Sequence, residues 1–500
     1  MKWIGKSVTV LIGVLFLLTM AAYIPNTAAA AKADKKATKV TKVAKAIPGS
    51  MAEKVPKVNA AFDVNKMGDM SDFDPSNPII PTGDTIKIAV VWPFSGPGAL
   101  NGEIAWIGFA WVAHDINKRG GIWVDGKKKL IEMIKADSMS KPDQAKKICD
   151  RMVLQEKVNI LVGTSGSNIQ KIINETGATN KVLTVNIGSL SDELNDATNF
   201  SRYNFMSSDS TEQIGRGMAY FYGQIRKKEK KFYILCQDYS FGHGLADGFK
   251  TGLKEYYPEA QIVGEDYHKL FLTDFAPYLT KIKASGAEVI YTGDWTPDAG
   301  NLLKQSRQMG VMLPFANIFM DEPIMLHEVG VEGTKGLVHI DHYNMPNMFK
   351  NPNFAKFYTT WNNLWKTKWK TAPFNSTLFA HGTGTIGSWT QQIYWLVSVL
   401  ERAKSTDPEK VIKVWEGDTY KFVTGRILKM RACDHKAIQD FEVAEYVVPD
   451  QQKGYFSIPP YHWFTGASGS GPAWLVPAAK ALPWMDQKLD RCKGKNDWGQ

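Results

Sequence analysis

Between residues 86 and 319, short β-rich runs alternate with stretches of helical spacing, and the alternation begins twice. The first block reads as strands over 86–92, 129–136, 158–162 and 182–187, with helices over 101–118 and from 140 onward. The second block reads as strands over 232–236, 261–267, 289–291 and 315–319. Its helices fall at 210–228, 242–257, 273–286 and 296–310. Strands separated by helices form parallel sheets covered on both faces. Two such blocks are each long enough for a core of their own, so the fold class is α/β, with two doubly wound parallel-sheet lobes. Further helices are expected at 353–369, 383–404 and 407–416, and the tail from 422 is rich in Pro, Gly and aromatics.

The 500 residues carry a formal charge of +10, which raises the question of a nucleic-acid partner. The charge is localised. Residues 1–30 hold +2 and residues 31–60 hold +6, from eight lysines against Asp34 and Glu53, so the remaining 440 residues hold only +2. A nucleic-acid-binding fold carries a basic face, and no such partner is expected.

The N-terminus reads as a secretory signal. Lys2 and Lys6 precede a 15-residue apolar run, 8–22, followed by Ala28–Ala31 with cleavage options. A membrane span needs roughly 20 apolar residues, so the run suits a cleavable signal peptide over 1–31. No Cys follows it for a lipid anchor. The product is expected to be soluble and outside the cytoplasm. Residues 32–83 are read as a disordered Lys-rich tether and lead-in. Lobe 1 is expected to comprise 84–207 plus 345–425, lobe 2 to comprise 208–344 plus 426–465, and 466–500 to be a C-terminal extension. Of four cysteines, Cys149 and Cys236 fall in helix and strand patterns and read as buried thiols. Cys433 and Cys492 are the better candidate pair in an oxidising compartment.

In open parallel sheets, ligands bind beyond the carboxyl ends of the strands. That rule selects the loops 93–98, 163–168, 188–192, 238–243, 293–296 and 320–322, which are rich in Gly, Ser, Asp and aromatics. They also carry a family pattern. IKIAVVWPFSGPGALNG (86–102) is similar to a strand followed by an S-G-P loop, which contains Ser95. DINKRGGI (115–122), DQAKKICDRMVLQEKVNILVGTSGS (143–167), SSDSTEQIGRGMA (207–219) and DYSFGHGLADGFKTGLKE (238–255) follow in order. TDFAPYLTKIKASGAEVIYTGDWTPDAGNLLKQSRQMGV (273–311), ERAKSTDPEKV (401–411) and RACDHKA (431–437) complete the series. Together they resemble the branched-chain amino-acid-type periplasmic solute-binding proteins of ABC importers, the leucine/isoleucine/valine-binding protein family.

The resemblance implies a type I-like fold whose lobes are joined by a hinge of crossing segments and close on a small-molecule ligand. It implies an ABC permease in the inner membrane as partner, a monomer, no cofactor and no enzymatic activity. In relatives, first-lobe hydroxyls and backbone amides grip the ligand's carboxylate and amine; the matching positions are Ser165, Ser167, Ser189 and Ser191. Phe241 and Trp295 match the second-lobe aromatics, and Asp321 and Glu322 the acid that pairs with an ammonium. Phe241 lacks the hydroxyl of a Tyr, and Trp295 is larger than the usual Tyr. Ligands of the family extend to amides and aromatic acids, so a binder of aromatic or aliphatic carboxylates is a second reading. A ligand-binding sensor signalling to a membrane receptor is a third.

Competing motifs are weak. Residues 382–387 match G-x-G-x-x-G without a preceding strand. Residues 163–167 read G-T-S-G-S, which is not a nucleophile elbow, and no paired His is evident. His339 and His342 are three apart in a strand pattern, so they point to opposite faces and no metal site is expected there.

Overall fold

The computed structural model describes residues 56–341, 345–376, 384–455, 465–483 and 488–494. The signal peptide and the tether up to 55 lie outside the described residues.

The strand Thr85–Trp92 shows why a two-faced sheet forms. Ile86, Ile88, Val90 and Trp92 point into one apolar cluster with the helix Ala99–Lys118. Ala89 and Val91 point into another, with Cys149, Met152, Leu161 and Ile173. An apolar run without polar alternation is what a parallel strand buried on both faces requires. The first sheet has the order Ile122–Val124, Lys127–Asp137, Thr85–Trp92, Ile160–Gly163, Leu183–Asn186, Asn204–Met206, parallel except at the first pair.

The second sheet runs Gly469–Val476, Phe441–Val447, Leu337–Asp341, Phe315–Asn317, Val289–Tyr291, Lys231–Gln237, Gln261–His268. The last five are parallel, and the first two join antiparallel. The two parallel-sheet lobes are the expected α/β class. The chain crosses between them after Met206, after Asp341 and before Phe441. The first and third crossings lie side by side: Met206 N–H donates to the His435 carbonyl (2.8 Å) and Gln439 Nε2 to Asp209 Oδ1 (2.7 Å).

Three boundaries read from sequence need correction. Residues 56–83 are packed, not tethered. Ala60–Ala61 forms a parallel strand with Thr419–Lys421, in a small sheet completed by Ile427–Met430 and Ala437–Ile438. Phe73 is fully buried against Trp111 and Trp369. Gly68 N–H donates to Asp115 (2.5 Å), and the Trp106 and Trp369 indoles donate to the Pro75 and Phe73 carbonyls (both 3.2 Å). The Lys-rich composition of 32–57 masked the aromatics and Asp turns that begin just beyond it. Second, the strands at 427–430 and 437–438 pair beside 419–421 instead of with the second sheet, because the hairpin that starts at Thr419 keeps them there. Third, Gly469–Val476, read as an extension, is the edge strand of the second sheet.

Cys433 and Cys492 form a disulfide, and Cys149 and Cys236 are buried thiols. Among the described residues no helix is long and apolar enough to cross a membrane.

Candidate functional site

The carboxyl ends of the parallel strands in both sheets face one cleft. It is partly open to solvent, and a cleft between two lobes is a preferred place for a small-molecule site. Asn101, Ser165, Ile187, Gly188 and Leu190 line it from loops and a helix end of the first lobe. Tyr239, Phe241, Trp295, Thr296, Phe319, Asp321, Glu322 and Asp341 line it from the second. Ser208 and Asp209 come from the first crossing, and Ser388, Trp389 and Gln392 from the helical stretch Gly384–Trp389 and Thr390–Ala403.

Of the nine residues expected from sequence, Ser165, Phe241, Trp295, Asp321 and Glu322 line this cleft. The other four serines do not, and the hydroxyls of three of them are engaged by bonds elsewhere. Ser95 donates to Asp137 (2.5 Å), which also accepts from the Phe94 backbone. Ser189 is buried and donates to the Thr164 carbonyl (2.6 Å). Ser167 opens the helix Ser167–Asn180, and its hydroxyl accepts the Ser191 N–H (3.4 Å). Ser191 itself is buried at the start of the turn Asp192–Asn195. Short hydroxyl side chains readily bond nearby backbone, as Ser189 and Ser167 do here.

Sequence reasoning missed Tyr239, Asp209, Phe319, Asp341, Trp389 and Gln392. Tyr239 had a signal, since it stands two residues before Phe241 in the same selected loop. Its hydroxyl accepts from the Trp295 indole (3.0 Å), which fixes that ring in the wall. Phe241 lies between Tyr239 and Phe319, with ring centroids 5.7 and 6.0 Å away. Trp389 packs edge-on against Trp92 (5.5 Å). Gln392 accepts from Ser207 (2.8 Å), which anchors it beside the first crossing. Trp389 and Gln392 stand some 200 positions downstream of the serine loops they face, and no local pattern links them.

The polar lining is acidic. Asp209, Asp321, Glu322 and Asp341 contribute carboxyl groups, and no Lys or Arg among the described residues lines the cleft. Burial, and then the charge of Asp321, push the Glu322 carboxyl up to about 8. Deeper in the second lobe, burial pushes the Asp298 carboxyl up to about 6, although Gln237 Nε2 (2.7 Å) and the Phe271 N–H (2.9 Å) donate to it. His268 is fully buried and bonded to Asp294 (2.8 Å). Burial alone would lower its imidazole, but the Asp294 bond and charge raise it above the ordinary value.

The sequence pattern of one family, described as periplasmic binding protein, matches residues 85–453. An amino acid binding protein of Pseudomonas aeruginosa is 32% identical over 239 residues, covering 46% of this chain and 59% of that protein's length. A leucine-, isoleucine-, valine-, threonine- and alanine-binding protein from Brucella ovis, in a closed conformation, superposes with a TM-score of 0.66 at 20% identity. It covers 82% of this chain and 99% of its own. A solute-binding protein of an ABC transporter from R. palustris, in complex with 4-hydroxybenzoate, superposes with a TM-score of 0.64 at 22% identity, over 79% and 98%. The last two likenesses carry the fold.

Proposed function

We propose that this chain, which belongs to the periplasmic binding protein family, is the extracytoplasmic receptor of an ABC importer. It binds a small amino acid or a related carboxylate or amide by hinge closure and presents it to a permease in the inner membrane. The observation that carries this reading is a cleft walled by both lobes, with their strand ends converging on it. A ligand held by both walls stabilises the closed arrangement, because only that arrangement offers it both sets of contacts. The family and the amino acid binding protein of Pseudomonas aeruginosa support the solute class.

The residues proposed to touch ligand are Ser165, Tyr239, Phe241, Trp295, Asp321 and Glu322, with Trp389 and Gln392 closing the first-lobe side. Aromatic walls suit an apolar or flat body, and the hydroxyls suit a carboxylate or amide oxygen. The receptor acts without catalysis, as a monomer, and reaches the periplasm through the cleavable signal at 1–31. Aromatic acids are a second reading, favoured by the five aromatic side chains in the lining.

Native mass spectrometry of the protein purified without unfolding identifies a retained solute. Small-angle scattering with and without that solute then tests the hinge. Compaction at saturation is the expected result. An unchanged radius of gyration at saturation refutes closure.

A further inference from the structure

We infer that the ligand is elongated: its head sits in the aromatic cleft, and an uncharged aliphatic extension runs on into a second chamber between the lobes. This deepens the receptor reading above and rests on it.

The second chamber adjoins the cleft. Asn101 of the first lobe, with Thr296 and Glu322 of the second, lines both spaces. Beyond this neck the first-lobe wall is Leu100 and Ile104, from the opening of the helix Ala99–Lys118. Residues four apart share a helix face, so the two side chains lie one above the other. The facing wall is Ile324 and Met325, at the start of the helix Pro323–Gly333. Gly300, of the helix Asp298–Gln308, stands beside them.

The two spaces differ in chemistry. The cleft is walled by aromatic rings and acids, whereas no ring lines the second chamber among the described residues. Leu100 and Ile324 are only half-buried, so they face each other with apolar surface that a bound chain would take out of water, a favourable change. Met325 is a side chain that adapts to irregular neighbours. Gly300 leaves room in the wall: a Cβ placed there would meet only Met325, at ordinary contact distances of 3.5 and 3.9 Å.

The neck is polar and nearly uncharged. Asn101 is fixed there by the Trp92 indole, which donates to its Oδ1 (2.7 Å). Burial, and then the charge of Asp321, push the Glu322 carboxyl up to about 8, so it is mostly protonated at neutral pH. An apolar chain passing it strips water from no full charge. The chamber's ionisable groups are Glu322 and Glu328, with no Lys or Arg among the described residues. An extension ending in a carboxylate would meet Glu328, and like charges brought together disfavour a partner. The site therefore selects a monoacid or amino acid with an apolar chain over a diacid.

The test is calorimetric titration of the chain beginning at Lys32, dialysed free of retained solute. One probe series is the straight-chain 2-amino acids from norvaline to 2-aminooctanoate, with leucine as short reference. The other is the 4-alkoxybenzoates from methoxy to butoxy, with 4-hydroxybenzoate as short reference. In the series that binds, affinity should rise roughly threefold to fourfold per added methylene. The diacid of equal length, 2-aminosuberate or 4-(3-carboxypropoxy)benzoate, should bind about tenfold more weakly than the longest monoacid. G300L fills the chamber and should weaken the longest probe by about tenfold while leaving the short reference within about twofold. G300A, a smaller addition at ordinary contact distances, guards against a folding defect and should fall between the two. Affinity that is flat or falls with chain length overturns the elongated ligand and leaves the receptor reading standing. A G300L variant that folds and binds the longest probe as the wild type does also overturns it. If only a retained solute binds, its size decides: one no longer than leucine or 4-hydroxybenzoate overturns the inference, and one with an apolar chain supports it. If nothing binds at all, the receptor reading fails and the inference with it.

Discussion

Removing the chain through Gly83 tests whether the segment ahead of the first long strand is part of the lobe. Val64, Met70 and Phe73 are buried to within 3% of complete exclusion from solvent. At about 1.5–3 kcal/mol for each buried side chain of this size, their loss costs roughly 5–9 kcal/mol. The deletion also strips the acceptors from the Trp106 and Trp369 indoles and a donor from Asp115. A domain's whole stability is about 5–15 kcal/mol, so a chain beginning at Asp84 should unfold or lose most of its denaturation midpoint. A chain beginning at Lys54 should match one beginning at Lys32. The assay is urea denaturation followed by Trp fluorescence, with Phe73→Ala as a point check expected to cost about 3–5 kcal/mol. Identical midpoints and slopes for the two truncations would refute the reasoning, because the segment would then bury nothing that counts.

Three further outcomes follow from particular contacts. The Asp298 carboxyl is raised from 3.8 to about 6 by burial, so its contribution to stability is full below about pH 4 and is lost as pH rises through 6. Asp298→Asn should gain on the wild type across that window, by up to roughly 3 kcal/mol at about 1.4 kcal/mol per pH unit; a gap that is flat from pH 4 to 7 in denaturation curves contradicts the assignment. The Cys433–Cys492 bond closes a separation of 59 residues, and its removal as a double Ser variant should cost about 4 kcal/mol on chain-entropy grounds. A melting temperature insensitive to reductant would show that it contributes little. Trp295→Ala removes a ring clamped by Tyr239 in the cleft wall, and should weaken ligand binding by on the order of 2 kcal/mol, as buried aromatic anchors do; unchanged affinity in calorimetry places the ligand elsewhere.

The parts of the fold that sequence made legible are those whose environment is uniform. The run 86–92 announces itself because both of its faces are buried, and 289–291 does so for the same reason. The helix Ser167–Asn180 gave little sign, since its sequence SNIQKIINETGATN mixes polar and small residues and its apolar face is Ile169 and Ile173 with Ile172 at its edge. The strands after 419 were hidden because a mixed tail of Gly, Pro and aromatics fixes no period, and long-range pairing decides it. In the cleft, Phe241, Trp295, Asp321 and Glu322 were visible because they fall in loops that the topology sends there, whereas Tyr239, Phe319 and Asp341, equally placed at strand ends, carried no distinguishing motif. The four displaced serines were not separable from Ser165 by type; which hydroxyl faces a cleft depends on whether a carbonyl or carboxylate stands within reach. His339 was weighed against His342, three positions on, whereas the residue sharing its face is Asp341.

The two-residue strand Ala60–Ala61 joins Tyr420 and Lys421, some 360 positions away. Phe62 then packs against Phe357, Tyr394 and Phe422. The first lobe's aromatic core is thus closed by its earliest and its latest contributors, with the entire second parallel block inserted between them. Contacts of such sequence separation form slowly, because the intervening chain must first be drawn in. A chain emerging N-terminus first holds an unfinished first lobe until about residue 430 is available. The second lobe's parallel strands, complete by Asp341, meet no such delay. The order of appearance thereby keeps the first lobe's aromatic core uncommitted during synthesis, the condition in which a chain is most exposed to aggregation.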